Sequence, residues 1–168
     1  MTELQPACGR ASGIALFLLA GALACAASDD GELAPEDKTP FSCELGVLDE
    51  DGNFVAGGAD VRAELDLGFQ GFLFVVTHVR ASGEVPQVTK VTLSAAVDGE
   101  TPTGATIPQL EMSGESEGKV LSDDLLVFFN SSTPTELAMR PLELVVRLES
   151  PTHICTVEAD FLMVDDDP

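Results

Sequence analysis

The sequence contains no tryptophan and no tyrosine, and phenylalanine, with nine copies, is its only large aromatic residue. Proteins that bind sugars commonly stack them on exposed Trp and Tyr rings, whereas Phe side chains within strands belong by default to a core. The composition therefore argues against a carbohydrate-binding module.

Basic residues are scarce, because 8 Lys and Arg stand against 29 Asp and Glu and give a net charge of −21. A protein of this charge repels nucleic acid and anionic membrane surfaces, so neither is predicted as a partner. An acidic surface is typical of a soluble protein whose copies repel one another. Metal cations and basic ligands are compatible with the charge but are not implied by it.

Catalytic signals are also few. The only histidines are His78 and His153, and no serine stands in a G-x-S-x-G elbow. A zinc site needs further ligands, and nucleophilic catalysis needs a nucleophile, a base and an orienting acid in one place. We therefore predict no enzymatic activity. An envelope hydrolase is an alternative that would require a pocket joining one of these histidines to a nucleophile.

The N-terminal apolar run, residues 14–24, is shorter than the roughly 20 residues that a membrane-spanning helix needs. Arg10 precedes the run and small residues follow it, which is the layout of a secretory signal peptide over residues 1–24. The sequence therefore predicts export.

The end of this segment, Ala22-Leu23-Ala24-Cys25, resembles the bacterial lipobox. The resemblance implies that Cys25 is acylated, becomes the mature N-terminus and attaches the protein to the cell envelope, with the outer membrane as the expected location. The alternative is ordinary signal-peptidase cleavage, because Ala22-Leu23-Ala24 and Ala24-Cys25-Ala26 both fit an A-x-A site. In that case the protein is periplasmic or secreted.

Cysteine counting bears on this choice. Removal of the signal peptide takes away Cys8 and leaves Cys25, Cys43 and Cys155, an odd number for an oxidising compartment. If Cys25 carries lipid, the other two are a pair on inward-facing positions of the first and last predicted strands. We predict a Cys43–Cys155 disulfide, worth about 4 to 5 kcal/mol in the chain-entropy model.

Composition divides the rest of the chain. Residues 25–40 are rich in small, acidic and proline residues without apolar periodicity, which predicts a flexible linker behind the lipidated cysteine. Residues 41–165 are the predicted domain, and residues 166–168 are a predicted disordered tail.

The domain shows strand patterns and turn signals at intervals near ten residues, with no convincing amphipathic helix. The longest apolar run, residues 69–80, is apolar on both faces and is predicted as a central strand covered on each side. The predicted strands cover residues 41–48, 61–67, 69–80, 88–97, 105–112, 125–130, 142–149 and 153–164. About eight short strands without βαβ alternation predict an all-β fold, a single antiparallel β-sandwich of immunoglobulin-like type.

One sequence pattern supports a family resemblance. Gly68-Phe69-Gln70-Gly71 precedes an apolar strand with His78 and Arg80, and Ser82-Gly83 follows. With the lipobox, the acidic linker and a single sandwich, this order resembles that of uncharacterised predicted lipoproteins of the myxobacterial type. The resemblance implies no activity and no catalytic residues.

A calcium site is the remaining candidate. Asp49, Asp51 and Asn53 surround Gly52 and offer oxygen ligands at alternate positions, as a calcium loop does, but the full loop spacing and its final Glu are missing. An acidic β-turn explains the same residues. The sequence thus favours a lipid-anchored, non-catalytic binding or structural protein of the envelope whose partner is unknown, with a secreted calcium-dependent adhesion module as the alternative.

Overall fold

Alternating apolar residues give this chain its strands, because every second side chain of a strand points to the same face of the sheet. The structure is a computed structural model that describes residues 33–68, 70–83, 85–88, 90–99, 103–107 and 110–165. The predicted signal peptide, the lipidation site Cys25 and the predicted tail lie outside these residues. None of the helices among the described residues has the length and apolar character that a membrane span requires.

The described residues form strands and two short helices. In chain order the strands are β1 Thr39–Pro40, β2 Ser42–Leu48, β3 Phe54–Ala56, β4 Arg62–Glu64, β5 Asp66–Leu67, β6 Leu73–Ser82, β7 Lys90–Val97, β8 Thr103–Ile107, β9 Met112–Ser116, β10 Lys119–Ser122, β11 Leu125–Phe128, β12 Pro141–Glu149 and β13 His153–Val164. The helices are a 3-10 turn at Pro35–Asp37 and α1 at Pro134–Leu137.

The strands build two sheets. The first sheet has the order β1-β13-β12-β7-β8, and β4 also pairs with β13. The second sheet has the order β3-β2-β6-β10-β9, and β5 and β11 also pair with β6. The two sheets pack face to face, which confirms the predicted all-β sandwich. Most pairs are antiparallel, but β1 and β4 both run parallel to β13.

The core lies between the two sheets and is almost wholly aliphatic. Strand β12 shows the expected alternation most clearly, because its even-numbered apolar residues from Leu142 to Leu148 are at most 1 % exposed. The second sheet contributes Leu45 from β2 and Leu73, Val75 and Val79 from β6. Full burial of one such side chain is worth about 1.5 to 3 kcal/mol, so this layer supplies the main stabilisation of the sandwich.

The central strand differs from its prediction. It begins at Leu73 and continues through Arg80 to Ser82. Its position in the middle of a sheet is confirmed, but only one of its faces meets the core. Phe72, just before the strand, is 47 % exposed, and Phe128 of the neighbouring β11 is 59 % exposed. The expectation that both faces are covered is therefore wrong at this end of the sheet.

The segment predicted as one strand over residues 61–67 is a crossing between the two sheets. Its first part, β4, pairs with β13 of the first sheet, and its second part, β5, pairs with β6 of the second sheet. Leu65 lies between them, is buried, and donates its backbone N–H to the carbonyl of Val164. The crossing therefore closes one edge of the sandwich.

The predicted flexible linker is too long at its C-terminal end. Thr39 and Pro40 pair with His153 and Ile154 of β13, and the side chain of Lys38 is only 1 % exposed. The prediction is wrong for Lys38, Thr39 and Pro40 because a buried ion pair, described below, and strand pairing hold them against the first sheet.

The predicted Cys43–Cys155 disulfide is confirmed. It joins β2 of the second sheet to β13 of the first, across 112 residues of sequence, with 6.4 Å between the two Cα atoms. The bridge therefore fastens the two sheets near the point where the chain enters the domain.

Candidate functional site

A cleft of about 600 Å3 opens at the edge of the sandwich, between the β2–β3 hairpin and the crossing formed by β4 and β5. Residues from both sheets line it. The lining falls into two chemical classes, an apolar wall and an acidic rim, together with Arg62 and His78. The apolar wall consists of Val47, Leu48, Val55, Val61, Val76 and Val164, and the acidic rim consists of Asp49, Glu50, Asp60, Glu64 and Asp66.

The cleft exists because the second sheet is incomplete beside β6. The pairing of β2 with β6 ends at Gly46 and His78, and the pairing of β5 with β6 ends at Asp66 and Phe74. Val76 lies between these two pairs and has a partner in neither register. Beyond Gly46, β2 pairs only with β3, so the sheet parts here and leaves an opening.

The backbone of Val76 faces this opening. Leu73 donates its N–H to Ser131 and its carbonyl accepts from Phe129, so Leu73 turns its backbone groups toward β11. Backbone groups of successive residues in an antiparallel strand point to alternate sides. Val76, three residues later, therefore turns its N–H and C=O toward the gap between β2 and β5.

Two wall residues are open to solvent despite their apolar character. Leu48 is 37 % exposed and Val55 is 36 % exposed. Isolated exposed aliphatic residues are ordinary on a protein surface, but these two belong to one concave surface together with four further valines. The arrangement is that of a pocket for an apolar group.

Most carboxylates of the acidic rim have no hydrogen-bond or ion-pair partner among the described residues. Within the described ranges, the side chains of Glu50, Asp60, Glu64 and Asp66 are exposed and make no hydrogen bond or ion pair. Arg62 is the one basic side chain among the residues that line the cleft. The cleft thus has a strongly negative potential at its mouth.

Asp49 differs from the other rim residues because its carboxylate closes the β2–β3 turn. Its Oδ1 atom accepts the backbone N–H groups of Asn53, at 2.7 Å, and Asp51, at 3.0 Å. The Asn53 backbone N–H and side-chain amide hold the pKa of Asp49 below its ordinary value. This is the acidic turn that the sequence offered as the alternative to a calcium loop.

The structure brings the predicted calcium residues together only as this turn. The Nδ2 atom of Asn53 lies 3.2 Å from both carboxylate oxygens of Asp49. Over the residues that the structure describes, no group of three His, Cys, Asp or Glu side chains is placed to hold a metal ion. Calcium binding by Asp49, Asp51 and Asn53 stays a prediction.

His78 lines the cleft but its ring is engaged by the neighbouring strand. The side chain is buried, its Nδ1 atom lies 3.3 Å from the carbonyl oxygen of Ser122, and its Nε2 atom lies 3.8 Å from Oδ1 of Asp124. His153 lies at the start of β13, where its Nδ1 atom is 2.8 Å from the Thr152 hydroxyl. The structure does not bring the two histidines together. None of the residues that line the cleft is Ser, Thr or Cys.

A charge network lies next to the cleft on the outer surface of the second sheet. Arg80 is buried, lies 4.2 Å above the Phe54 ring, and donates to Glu44 at 3.0 Å and to Glu117 at 2.7 Å. Lys119 also donates to Glu44, at 2.8 Å, and this bond, with Arg80, lowers the pKa of Glu44 against the effect of burial. Arg80 is therefore a structural cation with all its partners within the sheet.

The remaining concentration of positive charge surrounds Glu149 on the first sheet. Its carboxylate is contacted by Lys38 at 3.1 Å, Arg147 at 3.0 Å and Lys90 at 3.8 Å. The Arg147 Nε atom lacks the angle of a hydrogen bond, so that contact is an ion pair by distance only. Burial alone would raise the pKa of Glu149, but the Lys38 hydrogen bond and the three positive charges outweigh it and lower this pKa.

Comparison with known proteins adds no relative to this picture. No protein-family model, no curated protein and no solved structure matches the chain. The candidate site is therefore defined by its own geometry.

The sequence did not predict the cleft as a unit. Asp49 was predicted as a metal ligand, but Leu48, Val55 and Asp66 were not singled out as functional. The available signal was the position of apolar Leu48 and Val55 on either side of an acidic turn, because both would otherwise be expected to face a core.

Proposed function

We propose that this protein is a lipid-anchored protein of the bacterial cell envelope whose β-sandwich binds a ligand in the cleft and carries out no catalysis. The lipobox-like sequence ending at Cys25 supports the anchor. The cleft supports the binding role, since a concave apolar surface with a few convergent polar groups is the usual form of a ligand site. Its lining lacks a hydroxyl or thiol nucleophile, which favours binding over acyl transfer.

The proposal depends on where the cleft lies relative to the point at which the chain enters the domain. The segment that follows Cys25 reaches the first sheet at Thr39, which pairs with His153 at the start of β13. The cleft is lined by Val164 at the opposite end of the same strand. A twelve-residue strand is about 35 Å long at roughly 3.3 Å per residue. The described chain therefore enters the domain at the end of β13 that lies opposite the cleft, which leaves the cleft free of the entering segment.

Metabolic labelling with a palmitate analogue tests the anchor. We expect the label in the wild-type protein and not in Cys25→Ser. Equal labelling of the two proteins would remove the anchor from the proposal.

Photo-crosslinking in intact cells tests the use of the cleft. A photo-crosslinking amino acid at position 55, in the apolar wall, is compared with one at position 143, an exposed site on the outer surface of the first sheet. We expect a discrete adduct from position 55 that Leu48→Gln weakens. Adducts of equal yield from both positions, or adducts that Leu48→Gln leaves unchanged, would contradict binding in the cleft.

A further inference from the structure

We infer that the occupant of the cleft is an extended basic peptide segment that carries an apolar side chain between two Lys or Arg residues. This inference rests on the proposed function and names the ligand class of the same site. The charge of the cleft favours a cationic ligand, its apolar wall favours an apolar side chain, and its backbone geometry favours an extended peptide.

Charge complementarity selects a cationic occupant. The rim carboxylates of Glu50, Asp60, Glu64 and Asp66 make no bond within the described part of the chain, and the whole chain has a net charge of −21. Acidic ligands are repelled at such a mouth, and basic ones are concentrated there and associate faster. The same charge disfavours a second copy of this chain as the occupant.

The apolar wall requires more than a charged group. Leu48 and Val55 expose 37 % and 36 % of their surfaces beside the largely buried Val47 and Val164. A purely polar cation would leave this surface in contact with water. An aliphatic side chain placed against this surface would remove apolar area from water, which favours binding.

The backbone of Val76 favours an extended peptide over a small amine. Its N–H and C=O turn toward the gap between the two pairs Gly46–His78 and Asp66–Phe74, and its register includes no partner there. A peptide in strand conformation offers a donor and an acceptor at matching spacing, and its alternate side chains then point to one side. Neighbouring side chains of a strand point to opposite faces, so the residues that flank the inserted apolar side chain would point out of the cleft, toward the rim.

Fluorescence anisotropy with synthetic peptides tests this inference on the purified protein with its disulfide intact. The probe is a labelled KVKVK peptide, and the matched peptides are EVEVE, with reversed charge, and KGKGK, without apolar side chains. We expect saturable binding of KVKVK that weakens with added salt, no binding of EVEVE, and weaker binding of KGKGK.

Two double variants that remove the same number of charges test whether the peptide binds at the rim of the cleft. Glu64→Gln with Asp66→Asn removes two rim charges, and Glu143→Gln with Glu158→Gln removes two charges from the outer surface of the first sheet. Exposed ion pairs contribute little individually, so loss of two should weaken KVKVK binding about fivefold. The control variant should change it by less than about twofold. Circular dichroism and melting temperatures establish that both variants are folded.

Equal affinity for KVKVK and EVEVE, no binding of KVKVK, or the same loss in both double variants would overturn the inference. These results differ from those that would overturn the proposed function. If position 55 gives its specific cellular adduct while KVKVK does not bind, the cleft binds a ligand of another class. If neither result is obtained, both the ligand class and the binding site are wrong.

Discussion

Lys38 and Glu149 form a buried ion pair across 111 residues of sequence, with 3.1 Å between the Lys38 Nζ and Glu149 Oε2 atoms. Their side chains are 1 % and 8 % exposed. A charge in such surroundings needs a partner because burial without one is costly. The pair thus holds the start of the domain, just before β1, against the end of β12.

Replacement of Lys38 should loosen this attachment. Lys38→Met keeps the apolar stem but removes the bond to Glu149, which retains contacts with Arg147 and Lys90. We expect the free energy of unfolding to fall by about 2 kcal/mol, the range for a hydrogen bond to a charged group. Urea unfolding measures the change.

Lys90→Met is the matched control for that change. Lys90 is 52 % exposed and lies 3.8 Å from the same carboxylate, so its removal should cost less than about 0.5 kcal/mol. Equal losses in the two variants would show that burial of the Lys38 pair contributes nothing.

Acid should destabilise the fold through Glu149. Its pKa is lowered in the folded protein by Lys38, Arg147 and Lys90, so the unfolded chain takes up its proton at a higher pH than the folded chain does. The stabilisation is present above the ordinary value of 4.5 and is lost as the pH falls through the lowered value. Unfolding measured in urea from pH 7 to pH 3 should show this loss. In Glu149→Gln, which is less stable at pH 7, the slope below pH 4.5 should be smaller; an identical slope would refute the assignment.

Gly46 should not tolerate a side chain. A Cβ atom there would overlap the carbonyl oxygen of Val55 and lie 2.6 Å from Cζ of Phe54, whose ring supports Arg80. We expect Gly46→Ala to reduce the free energy of unfolding by about 2 to 3 kcal/mol, as overpacking does in a well-packed site. Gly58→Ala is the control, because its nearest contact would be an ordinary 3.7 Å to Val61. Comparable melting temperatures for the two variants would contradict this prediction.

Loss of the disulfide should lower the melting temperature strongly. Closure of a loop of 112 residues is worth about 4 to 5 kcal/mol in the chain-entropy model, which corresponds to roughly 10 to 20 °C for a domain of this size. Calorimetry of Cys43→Ala with Cys155→Ala measures the shift, and Cys25→Ser serves as the control. Two reactive thiols from Cys43 and Cys155 in the oxidised protein would contradict the bridge.

The strands that were predicted best are those that stay within one sheet and keep a regular alternation of apolar and polar residues. β13 begins and ends at its predicted residues, and β12 differs by one residue. The apolar residues on one face of each strand are buried or half-buried, and Glu143, Glu158 and Asp160 on the other face are exposed, so pattern alone determined both. The disulfide followed from inward-facing cysteines on the first and last strands.

The missed elements have identifiable physical causes. No strand was predicted over residues 113–124. The structure has β9 and β10 there, joined by a two-residue hairpin turn at Glu117 and Gly118, which both have positive φ. β9 is poor in apolar residues and lies at the edge of the second sheet, and β10 pairs with β6 only through Val120 and Leu121. Lys38 was assigned to the linker because its ion pair depends on Glu149, which is distant in sequence.

The cleft could not be predicted for a related reason. Its wall and rim come from β2, β3, the crossing and β6, and its shape depends on where the pairing between strands stops. Alternation reveals which face of a strand is apolar, but it does not reveal that Val76 pairs with β11 on one side and has no partner from β2 or β5 on the other. Asp49 was predicted as a metal ligand because an acidic β-turn and a calcium-binding loop use the same residue types, so the sequence does not distinguish them.

The Cys43–Cys155 bridge also determines how the molecule would respond to mechanical tension. When force is applied to the two ends of the chain, the Cys43–Cys155 disulfide transmits it. The segment of the chain between the two cysteines, a sequence separation of 112, does not bear that force. Within the described strands, only β1, the start of β2 up to Cys43, and β13 from Cys155 onward would carry load. The residues between the cysteines, which supply all of the cleft lining except Val164, would be shielded from stretching. A tethered domain under tension would therefore keep most of its binding surface intact.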